Sequence, residues 1–145
     1  MTPPAGMAAV LDREARSLVE RLRLWTPARW AAAAPVLRTR ADVAHHLAQA
    51  LADTCAIWAQ TQRRTLPRLD SDLVLPDQLA VTAADLVRAG APDDVVRGAV
   101  AHLLLHRRHL LADDPPPGLA AELGLDDLDL HVEGATVCQR GSDQT

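Results

Sequence analysis

The chain has 145 residues, of which 48% are apolar and 23% charged, and carries a net charge of −4. This profile is typical of one globular domain whose core is large enough to fold without disulfides or a structural metal. The two cysteines are too few for a disulfide framework or a four-cysteine zinc site. The negative charge and the lack of Tyr and Phe disfavour nucleic-acid partners, and no apolar run approaches the ~20 residues of a membrane span. Because the N-terminus also lacks a basic leader, we expect a cytoplasmic protein.

Helical elements are predicted over the first 112 residues, because Ala, Leu and Arg dominate the segments between widely spaced Gly and Pro residues. The first long helix is predicted from about Met7 to Trp25. Thr26 and Pro27 then supply a cap and a first-turn residue for a short helix around Trp30. The fold class predicted from this pattern is all-α, a four-helix bundle over residues 1–112.

The second long helix is predicted from about Arg40 to Arg64, where Thr39 and Asp42 have the spacing of a capping box. Residues 65–75 are predicted to form a loop. The third and fourth long helices are predicted at about 76–89 and 93–112, separated by a Gly stop and a Pro start. Residues 113–145 form an acidic tail, for which a helical turn near 119–123 and a strand, a docked extended segment or disorder over 128–137 remain open.

Five of the six histidines fall in two of these helices. At 100° per residue, His46 lies at the border of the apolar stripe of its helix, and His45 is expected to point to solvent. His102 and His106 are four residues apart and share one face, with His106 inside the apolar arc and His109 further out.

Two imidazoles at this spacing can reach one ion, and a third imidazole from a facing helix would complete a three-nitrogen site with open positions. We therefore predict a metal site at His46, His102 and His106. The nitrogen donors suit Zn, Ni or Fe, and spacing does not choose among them. The alternative is that these are solvated or hydrogen-bonded histidines at the border of a core.

Two segments carry a family resemblance. Residues 24–30 (LWTPARW) and 40–48 (RADVAHHLA) resemble the "LTPxxW … VRDVVAHLA" opening of the DinB-like superfamily, especially its actinobacterial branch similar to mycothiol-dependent maleylpyruvate isomerase. Residues 102–110 (HLLLHRRHL) resemble the "ExxxHxxDV" segment of that branch and the wider family's "HxxxH". The resemblance places His46, His102 and His106 on the three metal-ligand positions.

The resemblance implies an up-down-down-up helical bundle with a divalent metal at one end, in a family of thiol-dependent isomerases and transferases that use mycothiol or bacillithiol. The ion would lower the pKa of a bound thiol or water. Two departures stand out: residues 35–38 (PVLR) replace the usual Cys-Pro-Gly-Trp-like loop, and His102 stands where this branch often has Glu.

Several arginines near the predicted helix ends are candidates for binding the carboxylates of a low-molecular-weight thiol or an acidic substrate. The guanidinium group has the geometry for bidentate pairing with a carboxylate, and the candidates are Arg63, Arg64 and Arg107, with Arg108. The alternative is that these arginines are simply solvated residues at helix ends.

Two further alternatives to an enzyme remain open: a non-catalytic helical binding or interaction protein of the same fold, and an oligomeric stress protein, for instance a homodimer, joined through an apolar helix face. The three tryptophans Trp25, Trp30 and Trp58 are predicted to be core residues, because each continues an apolar stripe.

Overall fold

A computed structural model describes residues 4–111, and this part of the chain is all-α. The helices are α1 (Gly6–Leu22), α2 (Pro27–Ala31), α3 (Arg40–Ala59), α4 (Leu75–Arg88) and α5 (Asp93–Leu111), with a short 3-10 helix at Asp72–Val74. No strand occurs within these residues, and none of their helices is long and apolar enough to cross a membrane. The expectations for the acidic tail lie outside the described residues.

The four long helices pack around a shared apolar core. Helix α1 packs against α4 and α5, and α3 packs against the same two helices, so that α1 and α3 lie at opposite corners. Leucine dominates the fully buried side chains, which come from all four helices: Leu11, Leu18, Leu22, Leu47, Leu51, Leu75, Leu86, Leu103 and Leu110. Burying each of these side chains contributes roughly 1.5–3 kcal/mol, which makes apolar burial the main stabilising term.

Contacts at the helix ends fix the helix directions. The backbone N–H of Met7 donates to Asp93 Oδ1 (3.3 Å), so α1 and α5 begin at the same end. Arg23 at the end of α1 pairs with Asp77 at the start of α4 (3.1 Å). The indole N–H of Trp58 donates to the carbonyl at the C-cap of α4 (3.4 Å), which places the end of α3 beside the end of α4. Helices α1 and α5 therefore run in one direction, and α3 and α4 run in the other.

The predicted capping residues are in place at the starts of α2 and α3. Thr39 Oγ1 accepts the N–H of Asp42 (3.1 Å) and Asp42 Oδ2 accepts the N–H of Thr39 (3.2 Å), which confirms the capping box of α3. The predicted extension of α3 to Arg64 is wrong, because Gln60 adopts a left-handed backbone conformation (φ 55°) and ends the helix. The chain then turns back, and its next residues form a loop beside α3.

The tryptophans divide between the core and the surface. Trp25 and Trp30 are buried, as predicted, and their rings pack at 4.8 Å between centroids. The guanidinium of Arg29 lies 4.6 Å from the Trp25 ring, a cation–π contact. The prediction for Trp58 is wrong: 42% of this residue is exposed, because the last turn of α3 projects beyond the core and its indole lies over the end of α4.

Candidate functional site

The structure brings His46 and His106 into direct contact. His46 lies in the second turn of α3, and His106 lies near the end of the antiparallel helix α5, which packs against it. His46 Nδ1 and His106 Nε2 are 2.9 Å apart, within hydrogen-bond distance. The two rings stack with an angle of 18° between their planes and 5.1 Å between their centroids. These are two of the three histidines that helix-face geometry selected.

His106 is the buried member of the pair, with 7% of its surface exposed. Burial lowers its pKa to about 4, against the raising effect of a hydrogen bond between its Nδ1 and the carbonyl oxygen of His102 (2.6 Å). The neighbouring His46, His102 and His109 lower the pKa further. His106 is therefore neutral at pH 7.

Neutrality fixes the proton positions along the pair. A neutral imidazole has one donor and one acceptor nitrogen. Since a carbonyl only accepts, Nδ1 of His106 donates to the His102 oxygen and Nε2 carries the lone pair. His46 must then donate from Nδ1 to that lone pair. Because His46 is exposed, this chain of hydrogen bonds links the buried His106 to the surface.

His102 does not converge on the pair. Its ring centroid lies 6.2 Å from that of His106, with 51° between the ring planes, and the side chain is exposed. Within residues 4–111, no three His, Cys, Asp or Glu side chains are grouped so as to hold a metal ion. The arrangement is thus a histidine pair, with a third imidazole one helical turn away on the same helix.

A cleft of about 650 Å³ opens beside His46. Its walls come from α3 between Asp42 and Asp53, from Leu37 ahead of that helix and from the loop that follows it. Mostly polar residues line it: Leu37, Asp42, His45, His46, Gln49, Asp53, Arg63, Arg64 and Thr65. A volume of this size is within the range of small-molecule sites in proteins. His102 and His106 do not line the cleft, so His46 connects the buried histidine to it.

The Gln49 side chain holds the loop wall of this cleft in place. Its Oε1 accepts the N–H of Leu66 (2.7 Å), and its Nε2 donates to the carbonyl of Arg64 (2.9 Å) and to Asp53 Oδ1 (2.9 Å). His45 adds a hydrogen bond from Nε2 to the Leu66 carbonyl (3.1 Å). The expectation that His45 is solvated is wrong, because the loop covers it and leaves it half-buried. Sequence patterns did not identify Gln49, since two of its three partners are backbone atoms of a distant loop.

The candidate anion-binding arginines separate into two locations. Arg63 and Arg64 line the cleft and are exposed. Arg107 does not line the cleft: its guanidinium lies against Glu14 of α1 (3.4 Å), where the two side chains are only 12% and 8% exposed. Because α5 presents Arg107 to α1 and His106 to α3, these neighbours in sequence serve different interfaces.

Comparison with protein-family models, curated proteins and solved structures finds no match to this chain. The three segments on which the DinB-like resemblance is based all lie at or within helices. Residues 24–30 form the turn into α2 and most of that helix, residues 40–48 open α3, and residues 102–110 lie in α5.

Proposed function

We propose that the protein is a divalent-metal-dependent enzyme of the DinB-like type, built on an up-down-down-up four-helix bundle. His46 and His106 would hold the ion and His102 would complete the set. The observation that carries this proposal is the 2.9 Å approach of His46 Nδ1 to His106 Nε2 at the wall of an open cleft.

The spacing of the pair fits an ion. Nitrogen ligands lie about 2.0–2.1 Å from Zn²⁺, so two such ligands are about 2.9 Å apart when they subtend a right angle and about 3.3 Å apart in a tetrahedron. The observed 2.9 Å separation therefore matches two ligands of one ion, provided that His46 carries its proton on Nε2 and that the rings turn until their lone pairs converge on the ion. His102 lies one helical turn before His106 on the same face of α5, and its exposed side chain would complete the set by changing its rotamer.

The surroundings of His106 also support a ligand role. Ligating histidines usually donate the other ring N–H to a carbonyl or carboxylate, which fixes the ring and its tautomer. His106 has this arrangement through the His102 oxygen, and its lowered pKa keeps Nε2 free of a proton at pH 7. Imidazole donors suit Zn, Ni or Fe.

A bound divalent ion would supply Lewis acidity, lowering the pKa of a thiol or water at an open position. The reaction class proposed from the resemblance is a thiol-dependent isomerisation or transfer, with mycothiol as the low-molecular-weight thiol and a small molecule as substrate. In this chain the cleft beside His46 provides the space for both, and the Gln49 side chain holds the loop that closes one side of that space.

A second candidate function is a non-catalytic small-molecule-binding protein of the same architecture. It is favoured by the fact that the His46–His106 hydrogen bond satisfies both rings without an ion and that the described residues group no three metal donors. In that case the pair is a structural link between α3 and α5.

Metal titration separates the two candidates. Protein purified without a polyhistidine tag and stripped by a chelator is titrated with Zn²⁺ or Ni²⁺ in a calorimeter. We expect uptake of about one ion per chain, with affinity lowered about 10- to 100-fold or more in His46→Ala and His106→Gln. His109→Gln, which changes a histidine outside the pair, is the matched control. No uptake by the unmodified chain would refute the metal proposal and leave the binding protein.

A further inference from the structure

The cleft beside His46 contains two guanidinium groups that the metal site does not use. Arg63 and Arg64 follow each other in the loop after α3, and neither forms an ion pair within residues 4–111. Most other arginines whose contacts are described pair with a carboxylate, as Arg68 does with Asp72 (3.0 Å) and Arg23 with Asp77 (3.1 Å). The cleft therefore has positive charge available for a ligand.

The two carboxylates of the same cleft already have partners. Asp42 Oδ2 accepts the N–H of Thr39 (3.2 Å), and its Oδ1 lies 3.5 Å from the Arg68 guanidinium. Asp53 Oδ1 accepts a hydrogen bond from Gln49 (2.9 Å). These contacts direct the negative groups towards their own protein partners, whereas the two arginine side chains have no such partner among the described residues.

The backbone that carries the arginines is fixed. The carbonyl of Arg64 and the N–H of Leu66 both bind the Gln49 side chain, so the two guanidinium groups start from a loop pinned to α3. A pinned loop loses less conformational entropy when its side chains close on a ligand. Guanidinium groups match oxyanions, because their parallel N–H groups can donate to two oxygens at once.

We propose that this cleft binds a small organic anion through Arg63 and Arg64, which pair with its carboxylate or phosphate group. The rest of the molecule lies towards His46, within the volume of about 650 Å³. The inference rests on the proposed function, because it identifies small organic anions as the substrates of the proposed metal site. Binding of the anion itself requires no metal, so the two proposals are tested separately.

The test uses the full chain stripped of metal, in low-salt buffer, with succinate and inorganic phosphate as probes and succinamide as the neutral analogue of succinate. Calorimetry is expected to detect binding of at least one of the two anions and none of succinamide. Arg63→Gln and Arg64→Gln should each weaken that binding at least about tenfold. Both residues are exposed, so neither variant is expected to disturb folding.

Arg97→Gln is the matched control, because Arg97 is an exposed arginine of α5 outside the cleft. Binding that survives in this variant and is lost in the two loop variants supports the inference, and the preferred probe identifies the ligand as a carboxylate or a phosphate. Absence of binding by both anions, or an equal loss in all three variants, overturns it. Anion binding without uptake of Zn²⁺ or Ni²⁺ would refute only the metal proposal, and metal uptake without anion binding only this inference.

Discussion

Acidification is expected to destabilise the metal-free protein through His106. Its pKa is about 4 in the folded chain and 6.5 at the ordinary histidine value, which we take for the unfolded chain. Between these values the unfolded chain binds the proton more tightly than the folded one, so stability is highest above pH 6.5 and falls as the pH drops towards 4. At pH 5 the unfolded state carries this proton in nearly every molecule, whereas the buried ring carries it in few.

The magnitude follows from the two pKa values. Each tenfold difference in proton affinity corresponds to about 1.4 kcal/mol. Relative to pH 7, the free energy of unfolding is therefore expected to be about 2 kcal/mol lower at pH 5. It is expected to be roughly 3 kcal/mol lower once the pH is below both pKa values. The range from pH 7 to pH 5 precedes the titration of most carboxylates, so histidines dominate it.

Urea unfolding at pH 7, 6 and 5, in the presence of a chelator, measures the effect. The free energy of unfolding of the unmodified chain should fall with pH, and the fall should be about 2 kcal/mol smaller in His106→Gln, which cannot titrate. His106→Leu serves as a second variant if the amide destabilises the core. The same pH dependence in the unmodified chain and in both variants would refute the reasoning, because the other histidines are present in all three.

Three further changes test how the helices are held. Thr39→Ala removes the side-chain cap of α3 and should cost about 1 kcal/mol in urea unfolding, and an unchanged midpoint would contradict the capping role. Gly6→Ala should destabilise by about 1 kcal/mol or more, since Gly6 has φ +59° and an added Cβ would lie 2.9 Å from the Asp93 carboxylate oxygens. Glu14→Leu leaves Arg107 buried without its partner and should cost about 3 kcal/mol, most of it recovered in the Glu14→Leu/Arg107→Met double variant. Equal stability of the single and double variants would show that the buried charge carries no penalty.

The starts of α2 and α3 could be predicted because capping residues mark them in the sequence, whereas α1 and α4 begin without a side-chain cap. Thr26 with Pro27 and Thr39 with Asp42 satisfy backbone groups within their own first turns, so short-range rules locate them. The end of α3 is different, because Gln60 is not a residue that marks a helix end in the way that Gly does. The path of the following loop depends on Gln49, seventeen residues before Leu66, and sequence periodicity contains no information about that contact.

The candidate site divides in the same way. His46 and His106 face each other because each lies at a predictable angle on a predictable helix. The partners of His45 and Arg107 were missed, since one is covered by a loop and the other lies against α1. Helix periodicity predicts on which face of its helix a residue lies, but it does not identify the segment that packs against that face.

The order of the helices around the core has a consequence for biosynthesis. Among the described helices, α1 leaves the ribosome before the others, whereas the helices against which it packs, α4 and α5, are the last to be made. The contact between Met7 and Asp93 joins residues 86 positions apart, so it forms only after the start of α5 has been translated. Until then the apolar stripe of α1 lacks the surfaces that cover it in the native fold, and it is open to non-native contacts.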